Sequence, residues 1–554
     1  MRARVAWVIL SALLWGCTPA PDDEPDPQVP PQRPAPSEQV SEPRPTVEGG
    51  TAIVAVDEEP ATLHPWIAEP DSNVGMLVRP MLAPLWRVRP DGSSEPWLLA
   101  DQPTVREATA AEPFLVTYRI RDDAVWSDGE PIDGRDVLFT LETCIREVPR
   151  DDCTGVDLSR SSADGKEATI AFEQPVAAWT AVLQSLPVLP EHRLRGRAPR
   201  TAWTRRIDVS SGPFAFASWT PGERLVLERN ERWWGEPPAL ERIEFRFGDR
   251  SAVGAVVDGL VDVAQVSASP SAVEQARADP RVRGVVEPGS QWAALDFNMA
   301  SELMGRRAVR RALAGAIDRA TIVRELIQPV SPTATVLDGL PGGPQAADDQ
   351  PLSYPRYDPA RAARELDAAG CASGDDGVRT CGDQRLEIDL AVAPDDWQHA
   401  VIADYVRSQL TAVGAAVRLT EGPWDDRPAA PSEGPGTAGT WDLRVTAVTG
   451  TVTGTVTGAR RWHCEGSANT QAFCEPQYDA IIDRAAATTD PRQRAALDGE
   501  AALLLSSALP TYPLYEMPTM LVHTRGVRGP TLSPVEWGLT WNVNEWARTA
   551  DRVD

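Results

Sequence analysis

Residues Tyr118–Glu142 read YRIRDDAVWSDGEPIDGRDVLFTLE. The first of them complete an alternating run, PFLVTYRIR (Pro113–Arg121), of the kind that buries one face of a β-strand. A charged turn follows, then Trp126, Asp128-Gly129 and Pro131. Asp133 stands where a helix N-cap is wanted. Asp136, three residues on, adds a capping-box-like partner and a negative charge at the positive end of the helix dipole. The stretch therefore predicts a strand, a turn and a capped helix in immediate succession.

Reading outward, strand signals recur at KEATIAFEQP (Lys166–Pro175), ERLVLERNERWW (Glu223–Trp234) and ALERIEFRFG (Ala239–Gly248). Helices dominate the second half. VRRALAGAIDRATIVRELI (Val309–Ile327) puts Val309, Leu313, Ile317, Val323 and Ile327 near one face. YDPARAARELDAAG has Asp358 as N-cap, Pro359 at the first helical position and Gly370 just past the end. WQHAVIADYVRSQLTAVG ends at Gly414 and is followed by the strand AAVRLTE. TDPRQRAALDGEAALLLSSALP starts on another Asp-Pro cap, Asp490-Pro491, and stops before Pro510. The alternation is that of an α/β protein with mixed sheets. At 554 residues the chain is long enough for two or three domains.

The net charge of −26 argues against partnership with nucleic acid or anionic lipid. The first residues, MRARVAWVILSALLWGC, carry Arg2 and Arg4 before an apolar run, Val5–Trp15, that is too short for a stable membrane span and reads as an export signal. Leu14-Trp15-Gly16-Cys17 resembles the bacterial lipoprotein cleavage box, with Trp15 in place of the small residue usual there. The resemblance implies cleavage before Cys17 and a lipid on its thiol. Thr18–Gly50 is rich in proline and acids and holds no aromatic residue, so it reads as a disordered tether.

Six cysteines remain, and they permit 15 pairings. Proximity favours Cys144–Cys153, Cys371–Cys381 and Cys464–Cys474, and export makes oxidation reasonable. The absence of a C-x-x-C motif or a histidine cluster gives no metal site. No cofactor is expected.

Several blocks together resemble the family 5 extracellular solute-binding proteins, the peptide/nickel-type receptors of ABC importers. They are Tyr118–Glu142, SSGPFAFASWTPGERLVLERNERWWG (Ser210–Gly235), DGLVDVA (Asp258–Ala264), LDFNMA (Leu295–Ala300) with the helix after it, YDPARAARELDAAG, and EPQYDAIIDRA (Glu475–Ala485). Their order is the family's, and the resemblance covers about residues 50–550.

It implies a two-lobed periplasmic-binding-protein-like fold, type II or cluster C-like, with mixed sheets, a hinge and an extra subdomain in the first lobe. After a signal peptide (1–17) and tether (18–50), lobe I takes 51–85, 210–285 and 511–554. The inserted subdomain takes 86–209, and lobe II takes 286–510. The implied function is capture of an organic solute, with a peptide favoured, by hinge closure. Delivery is to the permease subunits of an importer, from a monomer lipid-anchored to the membrane and facing the periplasm or cell exterior. A surface receptor or sensor without transport is the alternative. A hydrolase is a weaker one, because none of the five histidines sits in a nucleophile motif and no G-x-S-x-G occurs.

The resemblance also implies cleft walls near Ser211-Gly212-Pro213, near Trp292 to Asn298, and from Trp441 onward. Candidate ligand contacts are Trp292, Asn298, Trp424, Trp441, Asp442, Arg460 and Trp462. Asp442 is the candidate for a peptide ammonium, and Arg460, with Arg461 beside it, for a carboxylate or phosphate. With 19 tryptophans against 7 tyrosines, a broad stacking pocket is the favoured form. The uncharged run TGTVTGTVTG (Thr449–Gly458) is expected to be a strand end and loop at the cleft mouth.

Overall fold

Strand alternation builds the central element of the structure, a computed structural model. It describes residues 45–550 except 68–72, 90–92, 110–111, 148–152, 154, 175–178, 180–182, 184–186, 199–200, 249–251, 342–351, 394–396, 422–440, 450–453 and 534–537. The signal peptide with Cys17, the tether and Trp424 lie outside the described residues.

Ten strands form one continuous sheet. They are β1 (Thr51–Val56), β2 (Phe214–Thr220), β3 (Arg224–Arg229), β4 (Arg242–Phe247), β5 (Val263–Ser267), β6 (Val282–Phe297), β7 (Glu387–Val392), β8 (Ala416–Glu421), β9 (Leu443–Thr449) and β10 (Thr511–Thr524). Their spatial order is β8-β7-β9-β6-β10-β5-β1-β4-β3-β2. β1 runs parallel to β4 and β5, and β7 runs parallel to β8 and β9. The other pairings are antiparallel.

Two lobes share this sheet. In lobe I, Ala52, Val54 and Val56 of β1 face one core with Phe245, while Ala55 faces a second core with Val253, Val256 and Val522. In lobe II the same period-two rule divides β6. Ala293, Leu295 and Phe297 meet Val309, Leu313 and Ile402 on one side, and Trp292 and Ala294 meet Trp462, Tyr478 and Ile482 on the other.

Only the long strands β6 and β10 belong to both halves. Val282–Pro288 pairs with Pro518–Thr524, and Trp292–Asp296 pairs with Thr511–Glu516. Between these two ladders Gly289, Ser290 and Gln291 face Met517 alone, which is a bulge. Pro288 opposes Pro518 there, and neither has an N–H to give the ladder. The connection between lobes is thus two strands whose ladder is broken at this bulge, with a smaller register shift following at Ala293/Ala294, the geometry of a hinge.

Gly289 is required at that place. A Cβ on it would stand 2.4 Å from Thr519 Oγ1 and 2.6 Å from the Met517 carbonyl oxygen. Gly289→Val is expected to destabilise the protein by about 1–3 kcal/mol through overpacking and to weaken solute binding, with thermal unfolding and calorimetry as the checks. A variant indistinguishable from wild type in both would remove this bulge from the hinge.

The decisive stretch folds as read. Phe114–Arg119 is a strand of a four-stranded antiparallel sheet with Thr104–Arg106, Val156–Asp164 and Glu167–Phe172. The helix Gly134–Arg146 lies against it, with the Asp133/Asp136 capping box complete. Gly134 has no room for a side chain, since a Cβ would lie 2.1 Å from the Glu167 carbonyl oxygen.

The helix expected over Val309–Ile327 is in fact broken. Arg307–Gly315 ends, and a second helix starts at Arg319 and widens over Val323–Ile327. Asp318 explains the break, because its carboxylate accepts from Thr321 N at 3.0 Å and caps a new helix. The five apolar positions are buried all the same.

The three disulfides are those proximity favoured, Cys144–Cys153, Cys371–Cys381 and Cys464–Cys474. Cys371 and Cys381 face each other across a hairpin.

Candidate functional site

In open α/β sheets, ligands bind beyond the carboxyl ends of the parallel strands. Both lobes bring such ends to the hinge. In lobe I the ends of β1 (Val56, Asp57) and β5 (Gln265, Ser267) border a cavity of about 290 Å³. Ser290 and Gln291 of the bulge, and Pro518 and Thr519 of β10, close its hinge side. Asn73 and Met76, at the short helix Val74–Val78, supply a further wall.

In lobe II, Gln291 pairs with Thr449, so the carboxyl end of β9 stands beside the cavity's own lining. The parallel pairing of β7, β8 and β9 puts their carboxyl ends along the same edge of lobe II.

The lining is almost neutral. Among the described lining residues Asp57 alone carries a formal charge. The rest of the polar set is amide and hydroxyl. The Gln265 carboxamide oxygen is shut off from solvent and has no hydrogen-bond donor. A buried acceptor left so costs about 1–3 kcal/mol, and it is the unsatisfied polar atom within this lining.

The residues singled out from sequence fall elsewhere in lobe II. Trp292 and Trp462 come together, but inside the core with Val448 and Tyr478. Asn298 is buried, and its Nδ2 donates to the Trp441 carbonyl at 2.8 Å. Trp441 is also buried. The Asp442 carboxylate accepts from Ser301 Oγ and, at 2.9 Å, from Asp389 N. Asn298, Trp441 and Asp442 lie at the opposite end of β6 and β9 from the bulge, about 23 Å along the strand at 3.3 Å per residue. Arg460 is exposed on the helix Gly454–Trp462. That helix begins inside the Thr/Gly/Val run where a loop was expected. Burial of Trp462 against Trp292 ties its far end to the core, a tertiary contact that overrides weak local propensity. Thr449 itself ends β9 beside the cavity.

Ser211 and Gly212 form a junction. Both N–H groups donate to the Met81 carbonyl, and Ser211 Oγ accepts from Ala83 N at 2.9 Å. Much of the indole surface is spent in lobe I. Arg87 lies between Trp97 (4.8 Å) and Trp541 (5.0 Å), and Arg121 lies over Trp234 (4.9 Å).

Arg461, next to the singled-out Arg460, serves a buried ionic network. Asp296 is fully buried and accepts from Arg461 at 2.8 Å, Arg444 at 3.2 Å and Thr511 Oγ1 at 2.8 Å. Burial pushes its carboxyl up, but Arg461 and Arg444, with Gln471 and Thr511, outweigh burial and hold it below the usual range. The described residues contain no group of three or more metal-ligating side chains and no helix long and apolar enough to cross a membrane.

Two lobes on a two-strand hinge with a cavity at the strand ends define a solute-binding protein. The chain belongs to the bacterial extracellular solute-binding proteins, family 5, whose model matches residues 95–469. It is a receptor exported from the cytoplasm, and its family consists of binding proteins rather than enzymes. The oligopeptide-binding protein OppA of Mycobacterium tuberculosis is 26% identical over 503 residues, covering 85% of this chain and 80% of OppA. A lipoprotein of Mycobacterium leprae is 24% identical over 477 residues, 78% of this chain and 82% of its own. Among solved structures, the periplasmic EDTA-binding protein EppA superposes with a TM-score of 0.81 at 22% identity, over 92% of this chain and 98% of EppA. That likeness carries the fold alone.

Proposed function

We propose that the chain is the receptor of an ABC importer and that it carries a peptide, enclosed when the lobes close about the β6–β10 bulge. The observation that carries this reading is the cavity at the carboxyl ends of β1 and β5, bordered by the hinge bulge and lined by amides and hydroxyls. Such groups match peptide units without demanding a fixed net charge. The oligopeptide-binding name of a relative aligned over most of both chains supports the same solute class.

Lobe I is taken as 51–85, 210–285 and 511–554, with 86–209 inserted and lobe II as 286–510. Arg460, exposed on the helix Gly454–Trp462, and Trp424, outside the described residues, are kept as proposed solute contacts from lobe II. Trp292 and Trp462 support lobe II from its core, and Asn298, Trp441 and Asp442 support it at the end of β6 and β9 away from the bulge.

The export signal, Cys17 and the lipoprotein name of a relative support a chain tethered to the membrane by lipid, and a monomer is the proposed state. Cys17→Ser is expected to move the protein from the membrane fraction to the soluble fraction, and membrane retention by the variant would contradict the anchor.

The test of the function is thermal unfolding with a pool of short peptides. At a free concentration 100 times Kd, a bound peptide stabilises the fold by about 2.7 kcal/mol. An unfolding temperature unmoved by peptides of two to eight residues at millimolar concentration would refute the peptide reading.

A further inference from the structure

We propose that the protein holds one small monovalent anion, of the class of chloride, in a second cavity between the guanidinium groups of Arg79 and Arg87. This site is separate from the solute cavity and does not depend on which solute is carried. Its volume is about 20 Å³, and its described lining comes from three segments distant in sequence. Arg79, Arg87 and Trp97 belong to the first, Pro213 to the second, and Trp541 and Asn544 to the third. About 10–15 Å³ suffices for one water, so the space suits a single monatomic ion and is too small for a carboxylate or a phosphate. Arg79, Trp97, Trp541 and Asn544 each keep part of their surface in solvent, and the cavity is not closed, so an ion can enter it.

The charge of the lining sets the sign of the ligand. Two arginines line this cavity and, among the described residues, no acid does, in a chain whose net charge is −26. Arg87 is fixed in place. It lies between Trp97 and Trp541, donates to Glu545 at 2.5 Å and has Glu95 at 3.8 Å. Neither carboxylate belongs to the described lining. Burial first, and the charge of Arg87 second, push the Arg79 guanidinium down to about 9, so Arg79 stays cationic at pH 7 and repels its neighbour. An anion between the two exchanges that repulsion for two attractions. The Asn544 amide adds an uncharged donor. The Thr540 hydroxyl, also in the lining, donates at 2.7 Å to the carbonyl of Met76, which is itself a wall of the solute cavity. The anion thereby braces that wall from behind.

The experiment uses the full chain, with bromide as the probe in crystals and chloride as the probe in solution. Wild-type crystals grown in sodium bromide are expected to show an anomalous bromine peak in contact with both Arg79 and Arg87. Chloride affinity is read from the broadening of the chloride NMR line on titration, at constant ionic strength held with gluconate. Arg79→Gln is expected to weaken that affinity by about tenfold or more. Asn544→Leu, which leaves both charges in place, is the second variant should Arg79→Gln lose the fold, and it is expected to weaken the affinity in the same sense. Ordinary water, or no density, between the two guanidinium groups in the bromide crystals overturns the proposal. A bromine peak there with chloride affinity unchanged in the variants shows binding at crystal concentration only, and overturns it as well.

Discussion

Asp296→Ala will destabilise the protein by about 3–5 kcal/mol, the cost of leaving buried charge without its partner. Two guanidinium groups, Arg444 and Arg461, converge on this one carboxylate, and Thr511 adds a hydroxyl. Removing it leaves two cations facing each other in the core of lobe II beside Trp462. Chemical denaturation measures the loss, and a change below about 1 kcal/mol, the range of exposed pairs, would show that the network does not hold the lobe. The pH dependence follows from the lowered carboxyl. The unfolded chain binds the Asp296 proton more readily than the folded one, so this stabilisation is present above about pH 4 and is lost as the pH falls through the folded value.

Asp136→Ala will unsettle the inserted subdomain to a similar extent, about 3 kcal/mol or more. Three N–H groups, those of the Asp133 backbone, the Trp126 indole and the Glu191 backbone, donate to this one side chain at 3.1, 3.1 and 2.9 Å. Alanine leaves all three without an acceptor, at about 1–3 kcal/mol each before relaxation. Here burial outweighs the donors and pushes the carboxyl up. The sign therefore reverses. The folded state holds this proton more tightly than the unfolded chain, so the contribution is greatest below about pH 4 and declines as the pH rises through the folded value. Measured against their non-titrating variants Asp136→Asn and Asp296→Asn, the two sites should move stability in opposite directions across pH 3–6. Parallel slopes would contradict the assignment.

The Asp133–Asp136 capping box was legible in the sequence because both partners sit within one helical turn, and local signals survive without knowledge of the fold. The disulfides were legible for the same reason, each joining neighbours along the chain. The hinge was not. Pro288, Gly289 and Met517 become a bulge only through the register of β6 against β10, residues more than two hundred positions apart. The cavity residues Asn73, Gln265 and Gln291 share that difficulty, since polar residues at strand ends carry no mark until the strands are aligned. Asp296 did carry one. It interrupts the apolar run AALDF at an inward position, where an acid needs a buried partner, but Arg444 and Arg461 become that partner only when β9 and the helix Gly454–Trp462 pack beside β6. The tryptophans misdirect a sequence reading because an indole suits a core, a cation or a ligand equally well. Trp97 and Trp541 meet Arg87 only after distant segments of lobe I converge.

Enclosure of solute at the hinge cavity is what the proposed function stands on. Native mass spectrometry of protein purified without denaturation and exposed to a peptide pool tests it most directly, with wild type compared to Ser267→Trp, whose indole fills the cavity from the end of β5. One peptide mass per wild-type chain is expected, lost on denaturation and absent from the variant. A peptide retained equally by Ser267→Trp would place the binding site elsewhere and contradict the claim.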